Sequence, residues 1–390
     1  METTRRKAER KVGRAELDEL RGEVFGGEIH APRVASRRDG VDGVLHAANL
    51  GVRAIGQGLA VANGLAPRHA ITQVDRLLSH PKLMREEVAR CWVRFVVAER
   101  TALFVNFDWT ACEASDPSML VLGTQTEHGR RTPLVWKTVT RSELKDQRHA
   151  HADERLGLLT AVLPGGVRVT GVADRGFSDV KLYRFLKELG FESIIRFRRV
   201  VCVESAEGER RKAKDWLGAS GRMRVLRGAR VTAAGQPVPR VVCVQHKQMK
   251  EPWLLASRRS DLTGTDLTHL YGKRFTVEET FTDVKNPRLG LGLRQTVMAR
   301  HDRRDALFLL AVLAHTLLTL LGKAGEALGL DRGLGATRPR QHPHFRQGQM
   351  LFDLIPTMER QRLRTLFQPC GQRLREHALL SQVLGYLERI

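Results

Sequence analysis

The feature that most narrows the fold is an alternation of apolar segments between residues 93 and 198. Residues 93–97 read as the exit of a helix, and Ala102 to Asp108 as the strand it runs into. Met119 to Gly123 and Thr132 to Val139 read as two further strands, joined through a turn near His128, Gly129 and Arg130. A helical segment over His151 to Leu163 is closed by Pro164, Gly165 and Gly166. A strand from Val167 to Asp174, a helix from Ser178 to Leu189 and a strand from Glu192 to Arg198 follow. Two of these strands, the first and the fourth, end on a carboxylate where apolar chain meets solvent.

Three strands, a helix, a strand, a helix and a strand is the order of a ribonuclease-H-like α/β sheet, which holds metal carboxylates at the ends of neighbouring strands. Asp108 and Asp174 occupy such positions. A strand-end aspartate alone reads equally well as a cap or turn residue, so a partner is needed. Glu113 and Asp116 lie near Asp108 but read as turn residues. The partner is sought in Tyr271 to Lys285, where Thr265 and Asp266 supply a helix cap and Asn286-Pro287 a stop. On a continuous helix Tyr271, Arg274, Glu278 and Lys285 share one face. Arg274 and Glu278, four apart, can also pair as a plain surface salt bridge. Asp108, Asp174 and Glu278 form a candidate oxygen-ligand set for two hard divalent cations. Glu279 is a rival third ligand, turned about 100° away on the helix. His128, His149, His151 and His246 lack ligand spacing.

Between the second and third carboxylates, short strand runs at 200–203, 223–226, 240–244 and 253–256 read as an inserted antiparallel subdomain. The division expected is 1–92 as a helical DNA-binding region and 93–199 as the first part of the α/β core. Residues 200–256 are the inserted β subdomain, 257–325 the second part of the core, and 326–390 a linker with C-terminal helices. Residues 1–30 read as a charged helix and linker. In the N-terminal region a helix over 44–62 and another over 68–79 flank the turn at Gly64 to Pro67. Arg68, His69, Gln73 and Arg76 point outward from the second, in the manner of a helix-turn-helix reader, although an ordinary helical bundle has the same pattern.

The charge balance bears on the partner. With 65 Lys and Arg against 43 Asp and Glu, the net charge is +22. An excess of that size favours a polyanion, since neutralising phosphates releases counterions. No basic amphipathic anchor marks a membrane surface as that polyanion. The apolar run Ala306 to Leu321, interrupted by His315, Thr316 and Thr319, reads as a core helix. Five scattered cysteines without a CxxC suit a reducing compartment and supply no thiolate zinc site.

Tyr271, Arg274, Glu278 and Lys285 match the Y-(2)-R-(3)-E-(6)-K signature, and the chain resembles bacterial insertion-sequence transposases of the DDE, cut-and-paste type. Asp108 and Asp174, the latter in Asp-Arg-Gly-Phe, sit where that family's first two acidic ligands sit. Residues 74–78, Glu251 to Ala256 and Gly290 to Arg294 extend the resemblance, which covers roughly residues 70–320. It implies catalytic metal ligands Asp108, Asp174 and Glu278 holding two Mg2+ ions, with Mn2+ as a substitute. It implies phosphate contacts from Tyr271, Arg274 and Lys285, DNA contact from Arg294, and a base-stacking role for Trp253, which reads equally as strand core. It also implies cleavage, hairpin formation and resolution, and strand transfer at terminal inverted repeats of double-stranded DNA. A homodimer on DNA and a cytoplasmic, nucleoid-associated protein with no membrane partner are expected. A nuclease without strand transfer, and an inactive DNA-binding repressor, are the other readings.

Overall fold

The computed structural model describes residues 35–81, 83–84, 86–112, 117–125, 130–218, 221–247, 249–334, 342–359 and 361–368, without the side chains of 35–38 and 276–278. The expectations for residues 1–30, Glu113, Asp116 and His128 lie outside the described residues. The chain divides into two units, Val96–Phe281 and, on either side of it in sequence, the residues up to Phe95 with those from Thr282 onward.

The first unit carries helices α1 (Ala35–Ala47), α2 (Val52–Asn63) and α3 (Pro67–Leu78), and α4 (Glu86–Val97) leads out of it. The single helix expected over 44–62 is thus two helices. Ala48 adopts a left-handed φ of 46°, and the Asn49 side chain accepts the Gly51 N–H at 2.7 Å, fixing the turn. The helical periodicity persists across the break because α1 and α2 pack on each other at glycines. A Cβ on Gly43 would lie 2.6 Å from the Ile55 carbonyl oxygen, and one on Gly58 2.5 Å from that of Gly43. Pro67 at the first turn of α3 suits a helix start, and Ala70, Val74 and Leu78 form its buried face. Asp75 is held by Arg303 at 2.5 Å.

The second unit carries β1 (Ala102–Ala111), β2 (Ser118–Gln125), β3 (Arg131–Val139), α5 (Arg148–Val162), β4 (Arg168–Ala173), α6 (Val180–Glu188) and β5 (Glu192–Arg196). It continues through β6 (Cys202–Glu204), β7 (Arg210–Lys212), β8 (Arg224–Val231), β9 (Gln236–Val244), β10 (Trp253–Ser257) and α7 (Gly264–Gly272). All ten strands form one sheet, in the order β3-β2-β1-β4-β5-β10-β9-β8-β6-β7. β1, β4 and β5 are parallel, and β1, β2 and β3 an antiparallel meander.

Here the structure departs from the expected boundaries. The strands between 200 and 257 are antiparallel, as expected, but they continue the core sheet instead of standing apart from it. β10 pairs with β5, Leu255 opposite Arg196, and β9 and β8 extend the sheet from there. The run Leu254, Leu255 and Ala256 is fully buried, the pattern of a central strand rather than an edge.

Helix α8 (Thr276–Lys285) carries the chain back to the first unit, which includes α9 (His301–Ala327) and α10 (His344–Leu354). The core boundary expected at 325 falls inside α9. That helix is long and apolar enough to cross a membrane, but 72% of its most apolar window is buried in protein. Leu307 to Ala314 are all buried, as a core helix requires. Residues 335–341, within the expected linker and C-terminal segment, lie outside the described residues.

Candidate active site

β1 and β4 lie side by side in parallel, with Phe107 opposite Ala173. The strand expected to end at Asp108 runs on to Ala111, so Asp108 lies inside β1 and Asp174 just after β4, side by side where the β1–β4 pairing stops. Asp174 caps a 3-10 turn over Arg175–Phe177, its Oδ1 accepting the Gly176 N–H at 2.9 Å. Its other oxygen, Oδ2, accepts from Arg274 Nη2 at 3.2 Å, and Asp108 Oδ1 accepts from the same nitrogen at 3.1 Å. One guanidinium nitrogen therefore sits between two carboxylates, with the side chains of Arg274 and Asp108 only 14% and 20% exposed.

The segment that supplies Arg274 is not the single helix expected. Its cap is Thr263 rather than Thr265, in a reciprocal box with Asp266 (3.2 and 2.9 Å). α7 ends at Gly272, Lys273–Phe275 form a 3-10 turn, and α8 begins at Thr276. A Cβ on Gly272 would approach the Trp253 ring to 3.3 Å. Tyr271 therefore lies on α7, Arg274 in the 3-10 turn, and Glu278 and Lys285 on α8. Tyr271 is fully buried, its ring edge-on to Trp253 at 5.1 Å. Burial holds its hydroxyl above the ordinary tyrosine range, while the nearby Arg274 and Arg196 act against that shift. Glu278 is the third residue of α8 and its side chain lies outside the described residues. Lys285 ends α8 and is 8% exposed. Asn286 then stops the helix, its side chain accepting the N–H groups of Arg288 and Leu289.

Several bonds fix α7 and α8 on the sheet. Gln125 Nε2 donates to the Leu270 carbonyl at 3.3 Å and to Asn106 Oδ1 at 3.0 Å. The Arg131 N–H donates to Thr280 Oγ1 at 2.8 Å, two residues after Glu278. Glu279, the rival ligand, is paired with Arg130. Arg131 itself is 1% exposed, and burial lowers its pKa to about 9, with Asp108 opposing the shift and Arg274 adding to it.

Beside the carboxylates lies an aromatic pair that sequence reasoning half missed. Trp253, half-buried, stacks on Phe275 with centroids 5.8 Å apart and planes 20° from parallel, and Phe275 is 44% exposed. No period or motif singled out Phe275; its place beside Trp253 comes from the 3-10 turn. In the other unit, Arg68 and Arg76 are exposed on α3 and with His69, Thr72 and Leu77 line an open hollow. Gln73, expected to point outward, is half-buried and donates to Asp39, which also accepts from Asn63 at 2.8 Å. Arg294 is exposed in a 3-10 turn, Leu293–Gln295. His149 pairs with Asp179, and His151 bonds the Glu143 carbonyl.

Among the described residues no three His, Cys, Asp or Glu side chains gather as a metal site. The two aspartates nevertheless suit a hard cation. Both are oxygen donors, they converge, and the point of convergence already accepts a positive nitrogen. A search of curated proteins finds no match to the chain. Residues 130–317 match the family model described as a transposase DDE domain, a span that begins after Asp108 and includes Asp174, Arg274 and Glu278. That match supports a DDE-type transposase, an enzyme acting on DNA.

Proposed function

We propose that the protein is a cut-and-paste DNA transposase that binds the terminal inverted repeats of its own element. The observation that carries this reading is the convergence of Asp108 and Asp174 on one cationic nitrogen where the parallel pairing of β1 and β4 stops. Asp108, Asp174 and Glu278 would hold two divalent ions, Mg2+ or Mn2+. When bound, such ions polarise the phosphodiester and lower the pKa of the attacking water or 3′-hydroxyl. Arg274, poised between the carboxylates, would turn its fork to a phosphate beside the scissile bond. Tyr271 supports this by packing, and Lys285 and Arg294 would take phosphates further along the strand.

The stacked pair of Trp253 and Phe275 offers an aromatic face to an extruded base, and stacking returns about 1–3 kcal/mol per base. Trp253→Ala is expected to slow hairpin formation about tenfold more than first-strand nicking, measured on end-labelled DNA in single-turnover reactions. Equal slowing of both steps would count against base stacking.

The far end of the sheet suits the DNA backbone. Arg210, Arg211 and Lys212 are exposed on the edge strand β7, and Arg224, Arg227 and Arg230 are exposed on β8. The triple variant R224Q/R227Q/R230Q is expected to flatten the slope of log K against log salt by about 2–3, near 0.9 per lost phosphate contact. An unchanged slope would remove β8 from the DNA path. Arg68 and Arg76 on α3 would supply sequence reading in the first unit.

Synapsis of two ends calls for a homodimer on DNA, acting in the cytoplasm at the nucleoid. The reading is tested by incubating the protein with Mg2+ and linear DNA carrying the terminal repeats. Strand-transfer products support it. Cleavage without transfer would indicate a nuclease, and binding without cleavage a repressor.

A further inference from the structure

A buried cation behind the carboxylates has no place in the chemistry above. Arg131, the first residue of β3, is 1% exposed. Its Nη2 donates to the Asn106 carbonyl at 2.8 Å and to the Val121 carbonyl. Val121 is the cross-strand partner of Asp108, and Asn106 precedes Asp108 by two, on the same face of β1. The guanidinium fits there because residue 123 is glycine. A Cβ at that position would lie 2.4 Å from Arg131 Nε. The Arg131 backbone N–H holds Thr280 on α8, and its guanidinium stands 5.9 Å from the Phe281 ring centroid. Nε and Nη1 make no hydrogen bond among the described residues. A guanidinium buried with three of its five N–H donors unused is costly, and an aliphatic side chain would fill the space at less expense. Packing alone does not explain it. The charges that act on it are Asp108 and Arg274.

We propose that Arg131 is a positioning residue, a fixed cation behind Asp108 that locks β1 to α8 and tempers the negative charge the carboxylate pair presents to a divalent ion. This rests on the metal-site reading of Asp108 and Asp174. Two effects follow with opposite signs. Without the positive charge, the carboxylates attract a divalent ion more strongly. Without the clamp, β1 and the helix bearing Glu278 lose their common reference, and a displacement of the order of 1 Å costs about 100-fold in rate. A residue that merely filled space would, on removal, weaken ion binding and activity together.

The test uses the full chain with Arg131→Met, Arg131→Lys and Thr280→Val. Mn2+ affinity is measured on the DNA-free protein by calorimetry, alongside thermal unfolding and single-turnover cleavage. Arg131→Met is expected to bind Mn2+ about threefold or more tighter and to cleave about 100-fold slower at unchanged DNA affinity. Arg131→Lys keeps the charge, so Mn2+ affinity should stay at the wild-type value and about tenfold of the lost rate should return. Thr280→Val removes only the tether and should slow cleavage without altering Mn2+ affinity, a result that stands even if Arg131→Met does not fold. Weaker or unchanged Mn2+ binding in Arg131→Met, with a rate that falls only as the folded fraction falls, would overturn the proposal. If the wild type binds Mn2+ through Asp108 yet cleaves no DNA, the transposase reading fails, and the affinities alone decide the role of Arg131.

Discussion

Asp108→Asn and Asp174→Asn are each expected to lower metal-dependent DNA cleavage by about 10³-fold or more while DNA affinity stays within about threefold. Asparagine keeps the size of the side chain and one acceptor oxygen but loses the charge that a hard divalent ion requires. Arg274 Nη2 now lies 3.1 Å from one carboxylate and 3.2 Å from the other. In either variant it retains the remaining partner, so the fold is expected to survive. The pairs are largely buried, with Arg274 14%, Asp108 20% and Asp174 35% exposed, so thermal unfolding of each variant is measured alongside cleavage. Cleavage rates and fluorescence anisotropy on the same DNA separate the two quantities. An active Asp174→Asn enzyme would remove that residue from the metal site.

The largest effect on stability is expected where α9 and α10 cross. A Cβ on Gly348 would lie 1.8 Å from the Leu318 carbonyl oxygen, and one on Gly322 1.9 Å from that of His344. Both obstacles are backbone, so the helices themselves must separate. Around the crossing, His315 stacks on Phe345 at 4.7 Å and meets Asp283 at 3.2 Å, while His344 meets Glu326 at 2.8 Å. Gly348→Ala is therefore expected to cost about 3 kcal/mol or more, the upper range of overpacking penalties. Gly157→Ala is the control. Gly157 lies inside α5 with nothing within 4 Å of its added Cβ, and should gain about 0.5–1 kcal/mol. Thermal or denaturant unfolding of the two variants reads both signs. A Gly348→Ala protein as stable as the wild type would mean that the crossing is looser than described.

What the sequence made legible follows from the range of the interactions involved. β1 to β5, α5 and α6 were readable because each strand is an apolar run bounded by turn residues, and α6 carries its own cap at Asp179. The position of Asp174 just after β4 was readable for the same local reason, whereas Asp108, expected to end its strand, lies inside β1, which runs on to Ala111. Their mutual approach was not, since it depends on the β1–β4 register. The joining of β10 to β5 was equally hidden, because sheet neighbours are chosen by contacts distant in sequence. A glycine such as Gly272 weakens a helix by its type alone, whereas the Trp253 ring, 3.3 Å from where its Cβ would lie, is brought near only by the fold. Arg131 carried no signal, for an arginine in a sequence reads as surface. Its burial depends on a glycine in the neighbouring strand. The inward turn of Gln73 likewise depends on Asp39, which lies on α1.

The assignment of the third ligand is the sharpest point of contact with experiment. Glu278 and Glu279 are adjacent on α8, and Glu279 is paired with Arg130. The most direct measurement compares Mg2+-dependent cleavage of terminal-repeat DNA by Glu278→Gln and Glu279→Gln, each checked for folding and DNA binding. Loss of cleavage by about 10³-fold in Glu278→Gln, with Glu279→Gln within about tenfold of the wild type, is the expected result. An active Glu278→Gln beside an inactive Glu279→Gln would contradict the metal site proposed for this chain.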